Sequence, residues 1–130
     1  MNEIVTYLKA CGAFYLATVD NEQPRVRPFG AVCEFEGKLY ITTANNKKVY
    51  QQMIANNHVE ICGMNNDTWI RIEGEVVEDM RREARVAMMD ANPTLSSMYN
   101  VDDNIFTVLY FSHGTATIYS YTEEPKVYTF

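Results

Sequence analysis

Apolar residues recur at helical spacing in three segments of the chain, and each segment predicts a helix. The first helix is predicted over residues 2–10 and is followed by the stop signal Gly12. The second is predicted in the segment KKVYQQMIANN, after the N-cap candidates Asn45 and Asn46. The third is predicted over residues 79–90. The expected buried faces are Ile4, Val5 and Leu8 in the first helix, Val49, Met53 and Ile54 in the second, and Met80, Ala84, Ala87 and Met88 in the third.

Between these helices, short runs rich in β-branched and aromatic residues predict six or seven strands. The runs cover residues 13–19, 25–35, 38–43, 58–64, 68–77, 105–112 and 115–121. Glu36-Gly37 predicts a tight hairpin and His113-Gly114 predicts another, whereas residues 94–104 are expected to form a loop. Hairpin connections and few helices predict a single mainly β domain over residues 1–130, an antiparallel barrel with flanking helices.

Composition narrows the classes of function. The chain is 47% hydrophobic and 22% charged, which is typical of a globular protein. A net charge of −6 argues against a general nucleic-acid binder. We expect neither a membrane span nor a signal peptide, because no apolar run is long enough and the first residues carry an early acid. Three widely spaced cysteines argue against a disulfide framework or a zinc site, so we expect the protein to reside in a reducing cytoplasm.

Positive charge at the start of the second predicted helix indicates an anion site. Lys47 and Lys48 oppose the helix dipole there, at a cost of a few tenths of a kcal/mol up to about 1 kcal/mol. A bound anion would compensate, since free N–H groups and the dipole both favour negative charge at a helix N-terminus. Thr42 and Thr43 lie just upstream and could donate to the same oxygens. The alternative interpretation is a pair of solvated surface lysines.

Arg25 and Arg27 are spaced so that both project from one face of an extended run. A hairpin is expected to return the strand that carries Thr42 and Thr43 beside them. Two guanidinium and two ammonium groups would then converge, a set that suits a phosphate monoester. The alternative is that the arginines form surface ion pairs with Glu22, Glu34 or Glu36.

No arrangement of residues typical of a catalytic or metal centre is visible in the sequence. No serine lies in a nucleophile elbow, and no spacing of His, Cys and carboxylates suggests a metal. Any redox chemistry would therefore need a cofactor. Trp69 opens a strand and has two interpretations, core or interface packing and contact with a planar ligand. Tyr128 and Phe130 are expected to be exposed and to contact a partner subunit.

The segment PRVRPFGAVCEFEGKLYITTANNKKVYQQMIANNHVEICGM, followed by WIRIEGEV, resembles the flavin-binding split barrel of the pyridoxamine 5'-phosphate oxidase superfamily. The likeness covers roughly residues 3–121, and is closest to the short general-stress-protein and nitroimidazole-resistance-like members. It implies a homodimer that holds FMN at the subunit interface. By position, Arg27, Lys47, Lys48 and Thr42 would meet the phosphate, and the backbone of Pro28 and Phe29 would flank the isoalloxazine ring. Arg25, Thr43 and Asn46 are neighbours in the same site, and Trp69 falls near a position that touches the flavin from the other subunit.

The chain also departs from the full oxidases. It is shorter and ends EEPKVYTF, without the R-x-H element that holds the vitamin substrate in those enzymes. We therefore expect an FMN-dependent oxidoreductase that acts on another small organic molecule with a nicotinamide donor. The alternatives are a flavin-binding stress or storage protein with little turnover, and a binder of some other phosphorylated ligand. Family members that use a deazaflavin or haem also exist.

Overall fold

Eight strands and three α-helices make up most of residues 1–130, all of which the computed structural model describes. The α-helices are α1 (Asn2–Cys11), α2 (Lys48–Ala55) and α3 (Arg82–Ala91), and a 3-10 helix covers Pro93–Ser97. The strands are β1 (Phe14–Asp20), β2 (Gln23–Phe29), β3 (Val32–Phe35), β4 (Lys38–Ala44), β5 (His58–Asn65), β6 (Thr68–Asp79), β7 (Phe106–Ser120) and β8 (Lys126–Thr129).

The strands form one antiparallel sheet in the order β2-β1-β5-β6-β7-β4-β3, with β8 added to β7. The two end strands, β2 and β3, do not pair with each other, so the sheet is not closed. They are nevertheless consecutive in the chain and are joined only through Gly30 and Ala31. The sheet must therefore curl until its two edges lie close together. This confirms the prediction of a mainly β antiparallel split barrel with flanking helices.

The β3–β4 hairpin forms where the sequence predicts it. Glu36 and Gly37 have φ angles of 52° and 78°, as a two-residue turn with both central residues in the left-handed region requires. Asn21 and Asn66 also have positive φ, in the β1–β2 and β5–β6 turns. Asparagine tolerates this region better than most residues, which explains why these short turns punctuate the sheet.

The hairpin predicted at His113-Gly114 is wrong, because β7 runs without interruption from Phe106 to Ser120. A bulge offsets its register, so that Glu75 lies opposite His113 but Val76 lies opposite Phe111. Gly114 serves a close approach between strands: a Cβ there would lie 2.9 Å from the carbonyl oxygen of Glu73.

The C-terminal segment forms β8 against this part of β7. Gly114 and Phe130 exchange backbone hydrogen bonds of 2.7 and 3.0 Å. Tyr128 and Phe130 are partly buried against the main core, and Phe130 packs on Phe111. The expectation of exposed tail aromatics is therefore wrong, because the segment is a strand of the sheet.

The helices bury most of the faces that the sequence predicts. α1 buries Ile4, Val5 and Leu8, α2 buries Val49 and Met53, and α3 buries Ala84 and Met88. Two predictions are wrong: Ile54 is 54% exposed on the far side of α2, and Met80 is 74% exposed because it precedes α3. Ala87 is only partly buried. None of the helices is long and apolar enough to cross a membrane.

Two apolar clusters hold the fold together. The larger fills the space between the sheet, α1 and α2, and includes Phe14, Leu16, Ile61 and Ile72. The smaller joins α3 and the 3-10 helix to β3, β4 and β7 through residues such as Tyr40 and Met88. Because the second cluster anchors α3 beside the open edge of the sheet, it fixes the segment that follows α3 at that edge.

Candidate functional site

A cleft of about 380 Å³ lies where the end of β2, the end of β4, the start of α2 and the segment after α3 meet. It occupies the split between the two edges of the curled sheet. Its lining residues are Arg27, Pro28, Phe29, Gly30, Ala31, Thr42, Thr43, Lys47, Val49, Asn92, Thr94, Leu95, Met98 and Tyr99. No acidic residue lines the cleft, although acids outnumber bases in the whole chain by 17 to 11.

Six of the residues selected from the sequence line this cleft together: Arg27, Pro28, Phe29, Thr42, Thr43 and Lys47. The route by which they meet differs from the predicted one. The predicted Glu36-Gly37 hairpin forms, but it joins β3 to β4, because the extended run 25–35 divides into β2 and β3. The arginine strand β2 therefore lies near the end of the sheet opposite to β4. They approach each other because the sheet curls and the short Gly30-Ala31 link ties its edges together.

The remaining four selected residues do not line the cleft. Arg25 forms an exposed ion pair with Asp20 at 3.2 Å. Asn46 and Lys48 are exposed beside Lys47. Trp69 lies on β6, where its ring stacks on Tyr119 with centroids 5.4 Å apart.

The N-terminus of α2 reaches the cleft without a side-chain cap. Lys47 occupies the N-cap position in an extended conformation, and no acidic residue lies in the first turn. The predicted N-caps Asn45 and Asn46 do not fill this position, and the side-chain amide of Asn45 instead donates to the carbonyl of Asn104 at 2.8 Å. Uncapped N–H groups and the positive end of the dipole therefore remain at the cleft, which favours an anionic ligand there.

Thr43 supplies a hydroxyl to the lining of the cleft. The residue is only 6% exposed, and its hydroxyl forms no hydrogen bond within the chain. No buried side-chain oxygen of the chain lacks a partner, so the Thr43 hydroxyl oxygen keeps some access to solvent and is free to bind a ligand oxygen. The neighbouring Thr42 differs, because its hydroxyl already donates to the carbonyl of Thr107 at 2.8 Å.

Arg27 brings a positive charge that no carboxylate neutralises. Its guanidinium donates to the Thr18 hydroxyl at 2.8 Å, the Leu16 carbonyl at 3.2 Å and the Gln52 side-chain oxygen at 2.8 Å. Burial lowers the pKa of Arg27, and the nearby charge of Arg25 lowers it further. Both effects reflect a charge that lacks a counter-ion, and an anion in the cleft would supply one.

Sequence reasoning missed the wall formed by Asn92, Thr94, Leu95, Met98 and Tyr99. These residues lie in and around the 3-10 helix, in a segment that was expected to be a loop over most of its length. No motif marks them, and their position depends on how α3 packs against β3 and β7. Leu95, Met98 and Tyr99 add apolar and aromatic surface to a cleft that also carries basic groups, a combination that suits a planar ligand with one charged end.

A larger groove of about 680 Å³ lies on the outer face of the sheet, but its chemistry is different. His58 and His113 both contact Glu75, at 3.5 and 3.1 Å. Glu60 and Glu73 add further carboxylates. Because acids dominate this groove, it does not suit a phosphate.

Comparison with protein families supports the same assignment of fold. The family model described as Pyridoxamine 5'-phosphate oxidase matches residues 1–104. A NimC/NimA family protein from Clostridium acetobutylicum is 53% identical over 100% of this chain and 92% of its own, with a TM-score of 0.97. No curated protein matches the chain.

More distant solved structures share the fold and bind different groups. A pyridoxamine 5'-phosphate oxidase-related, FMN-binding protein from Nostoc punctiforme has a TM-score of 0.64 at 14% identity, covering 98% of this chain and 92% of that one. A heme-binding protein from Mycobacterium smegmatis has a TM-score of 0.74 at 13% identity, covering 94% of this chain and 57% of that one.

Proposed function

Because the chain belongs to the pyridoxamine 5'-phosphate oxidase family and to the NimC/NimA family, we propose that its cleft binds FMN and serves an oxidoreductase. One observation carries the proposal. Arg27, Lys47 and the free hydroxyl of Thr43 line one cleft that contains no acid. These groups match a phosphate monoester, which accepts hydrogen bonds from guanidinium, ammonium and hydroxyl donors.

The cleft has a place for the rest of the cofactor as well. Besides the basic groups, the cleft lining includes the apolar and aromatic residues Pro28, Phe29, Leu95, Met98 and Tyr99. A flavin ring is planar and largely apolar, so this surface suits it. Histidine and cysteine, two common ligands of haem iron, do not line the cleft, whereas its basic groups and hydroxyl suit the phosphate of FMN.

The residues of the chain would bind and orient the cofactor, and the cofactor would carry out the redox chemistry. FMN, when bound, supplies hydride-transfer chemistry that protein side chains lack. Neither a carboxylate nor an imidazole lines the cleft, so we assign no general acid or base to this chain. We therefore propose a small organic substrate and a nicotinamide electron donor, with Arg27, Lys47 and Thr43 as cofactor-binding residues. We propose Asn46 and Lys48, which face solvent beside Lys47, as secondary contacts. Thr42 and Arg25 are engaged by Thr107 and Asp20, so we assign them no contact with the phosphate.

The first test separates FMN from riboflavin, which lacks the phosphate. We expect Arg27→Ala to lower the affinity for FMN by roughly tenfold to a hundredfold, because a hydrogen bond to a charged group contributes about 1.5–3 kcal/mol. Riboflavin affinity should change by much less. Titration of each flavin, followed by its fluorescence, measures both constants.

Arg25→Ala is the matched control, since it removes the same charge two residues away on the same strand. Arg25 is paired with Asp20 and lies outside the cleft, so both flavins should bind this variant almost as they bind the unaltered protein. A protein that binds no FMN would refute the proposal. An equal loss of FMN and riboflavin in Arg27→Ala would remove Arg27 from the phosphate site.

Turnover requires a separate measurement. If the flavoprotein is an enzyme, NADH or NADPH should bleach the visible absorption of the bound flavin rapidly under anaerobic conditions. A bound flavin that neither donor reduces would favour the storage or stress alternative.

We further propose that a second copy of the chain covers the outer face of the sheet and completes the flavin site. Register places Tyr15, Cys62, Arg71 and Val127 in one row across that face. The face exposes large apolar side chains, namely Tyr15, Val26, Met64, Tyr121 and Val127. Several exposed large apolar side chains that share one face of a sheet are typical of an interface.

Light scattering coupled to gel filtration tests the homodimer. Val26 is 67% exposed on the outer face, and Val26→Glu should dissociate the dimer. Ile54→Glu is the control, since Ile54 is exposed on α2, away from that face. An unaltered protein that is monomeric at micromolar concentration would contradict this arrangement.

A further inference from the structure

Arg27 is held by a small network of neutral groups. Gln52 on α2 accepts two hydrogen bonds on its side-chain oxygen, from Arg27 at 2.8 Å and from the Thr18 hydroxyl at 2.6 Å. The Thr18 hydroxyl in turn accepts from Arg27 at 2.8 Å. The three side chains thus form a closed triangle that joins β1, β2 and α2.

The neutrality of this network sets Arg27 apart from most arginines of the chain. Arg25, Arg71, Arg81 and Arg82 all form ion pairs with carboxylates. Arg85 donates only to backbone carbonyls, away from the cleft. Of the six arginines, Arg27 alone lines the cleft.

The network also fixes the orientation of the guanidinium. Thr18 is only 1% exposed, so its hydroxyl has no water to exchange with and its direction is set by its two partners. Gln52 belongs to the same helix whose N-terminus reaches the cleft, which ties the position of Arg27 to that of Lys47. A glutamate at position 52 would make similar hydrogen bonds, but it would cancel the charge.

We infer that Gln52, supported by Thr18, is a positioning residue that orients Arg27 without neutralising it, and so leaves its charge available to the phosphate of the ligand. This inference rests on the proposed function. The inference extends the proposed function because it assigns a role to Gln52, which does not line the cleft, and explains why that side chain is an amide.

Gln52→Glu tests the inference because it changes charge while nearly preserving shape. We expect FMN affinity to fall about tenfold or more, as an internal ion pair replaces the one with phosphate, while riboflavin affinity changes less than about threefold. Gln51→Glu is the matched control: it adds the same charge to the same helix at an exposed neighbouring position, and FMN affinity should stay within about threefold. The melting temperature of Gln52→Glu should not fall.

Thr18 offers an independent second pair of variants. Thr18→Val keeps the shape but removes the hydroxyl, and it should weaken FMN more than riboflavin, whereas Thr18→Ser should restore binding. A purely structural role would alter the stability of Thr18→Val and leave the ratio of the two flavin affinities unchanged.

The outcomes separate this inference from the proposed function. If the unaltered protein binds FMN and Gln52→Glu binds it equally well, the inference is overturned and the proposed function stands. If the unaltered protein binds inorganic phosphate but not FMN, and Gln52→Glu loses phosphate, the inference stands and the cofactor assignment fails. If neither FMN nor inorganic phosphate binds, both are overturned.

Discussion

Replacing Asp79 with asparagine should destabilise the protein through loss of a buried charge that anchors the start of α3. Asp79 is 8% exposed at the end of β6. Its carboxylate accepts hydrogen bonds from the Tyr40 hydroxyl at 2.7 Å and from the backbone and side chain of Arg81 at 2.9–3.1 Å. Arg81 also pairs with Glu36, so the group links β6 and α3 to the β3–β4 hairpin.

The pKa of Asp79 gives the size of the effect. The hydrogen bonds from Arg81 lower this pKa from 3.8 to about 2, against the opposing effect of burial. One pKa unit is equivalent to about 1.4 kcal/mol, so the ionised carboxylate stabilises the fold by about 2 kcal/mol at neutral pH. Because the folded-state pKa is the lower one, this stabilisation is present above about pH 4 and is lost as pH falls towards 2.

Chemical denaturation of both proteins between pH 7 and pH 3 measures the effect. We expect Asp79→Asn to lower the free energy of unfolding by about 2 kcal/mol at pH 7, and by about 1 kcal/mol at pH 3, where part of the Asp79 stabilisation has already gone. Asp102→Asn is the control, because Asp102 pairs with the adjacent Arg82 but is exposed, and its loss should be much smaller. A difference between Asp79→Asn and the unaltered protein that does not shrink from pH 7 to pH 3 would refute this reasoning.

Three further substitutions probe other parts of the molecule. Gly74→Ala should lower the free energy of unfolding by about 1–3 kcal/mol, since the new Cβ would lie 2.5 Å from the carbonyl oxygen of His113. Gly30→Ala is the control: its Cβ would meet no atom within 4 Å, so the free energy of unfolding should not fall. Glu78→Gln should lower the pKa of Tyr50, which a hydrogen bond to Glu78 raises to about 12; an unchanged tyrosinate titration in the ultraviolet would contradict that hydrogen bond. Trp69→Ala should weaken FMN and riboflavin equally if the ring meets the flavin across the proposed dimer; a loss confined to FMN in fluorescence titrations would count against that contact.

Local signals in the sequence predict the secondary structure well where the chemistry is local. Glu36-Gly37 forms the expected hairpin because its conformation depends on those two residues. His113-Gly114 gives the same kind of signal and yet lies inside β7. Gly114 is needed there because Glu73 and Phe130 approach it closely in the folded sheet. No local sequence pattern reveals that approach.

The same distinction between local and tertiary effects governs the cleft. Lys47 and Thr43 lie four residues apart, so a strand leading into a helix is enough to predict that they are neighbours. The meeting of Arg27 with Thr43 depends instead on a sheet whose edges curl together around Gly30-Ala31. The Glu36-Gly37 hairpin forms as predicted, but it joins β3 to β4, so the approach of Arg27 to Thr43 comes from the curl of the sheet and not from that hairpin.

The apolar wall of the cleft shows why the ligand's ring is harder to predict than its phosphate. A phosphate site can be predicted from positive side chains that oppose a helix dipole, as Lys47 and Lys48 do. Leu95, Met98 and Tyr99 are ordinary apolar residues after a helix, and they line the cleft only because the second core cluster anchors α3 against β3 and β7. Asp79 at the end of β6 holds Arg81, the N-cap residue of α3, so an interaction outside the cleft fixes the wall against which a ring would stack. Loss of the Asp79 carboxylate should therefore weaken riboflavin binding as much as FMN binding. Arg27→Ala, in contrast, should weaken FMN binding selectively.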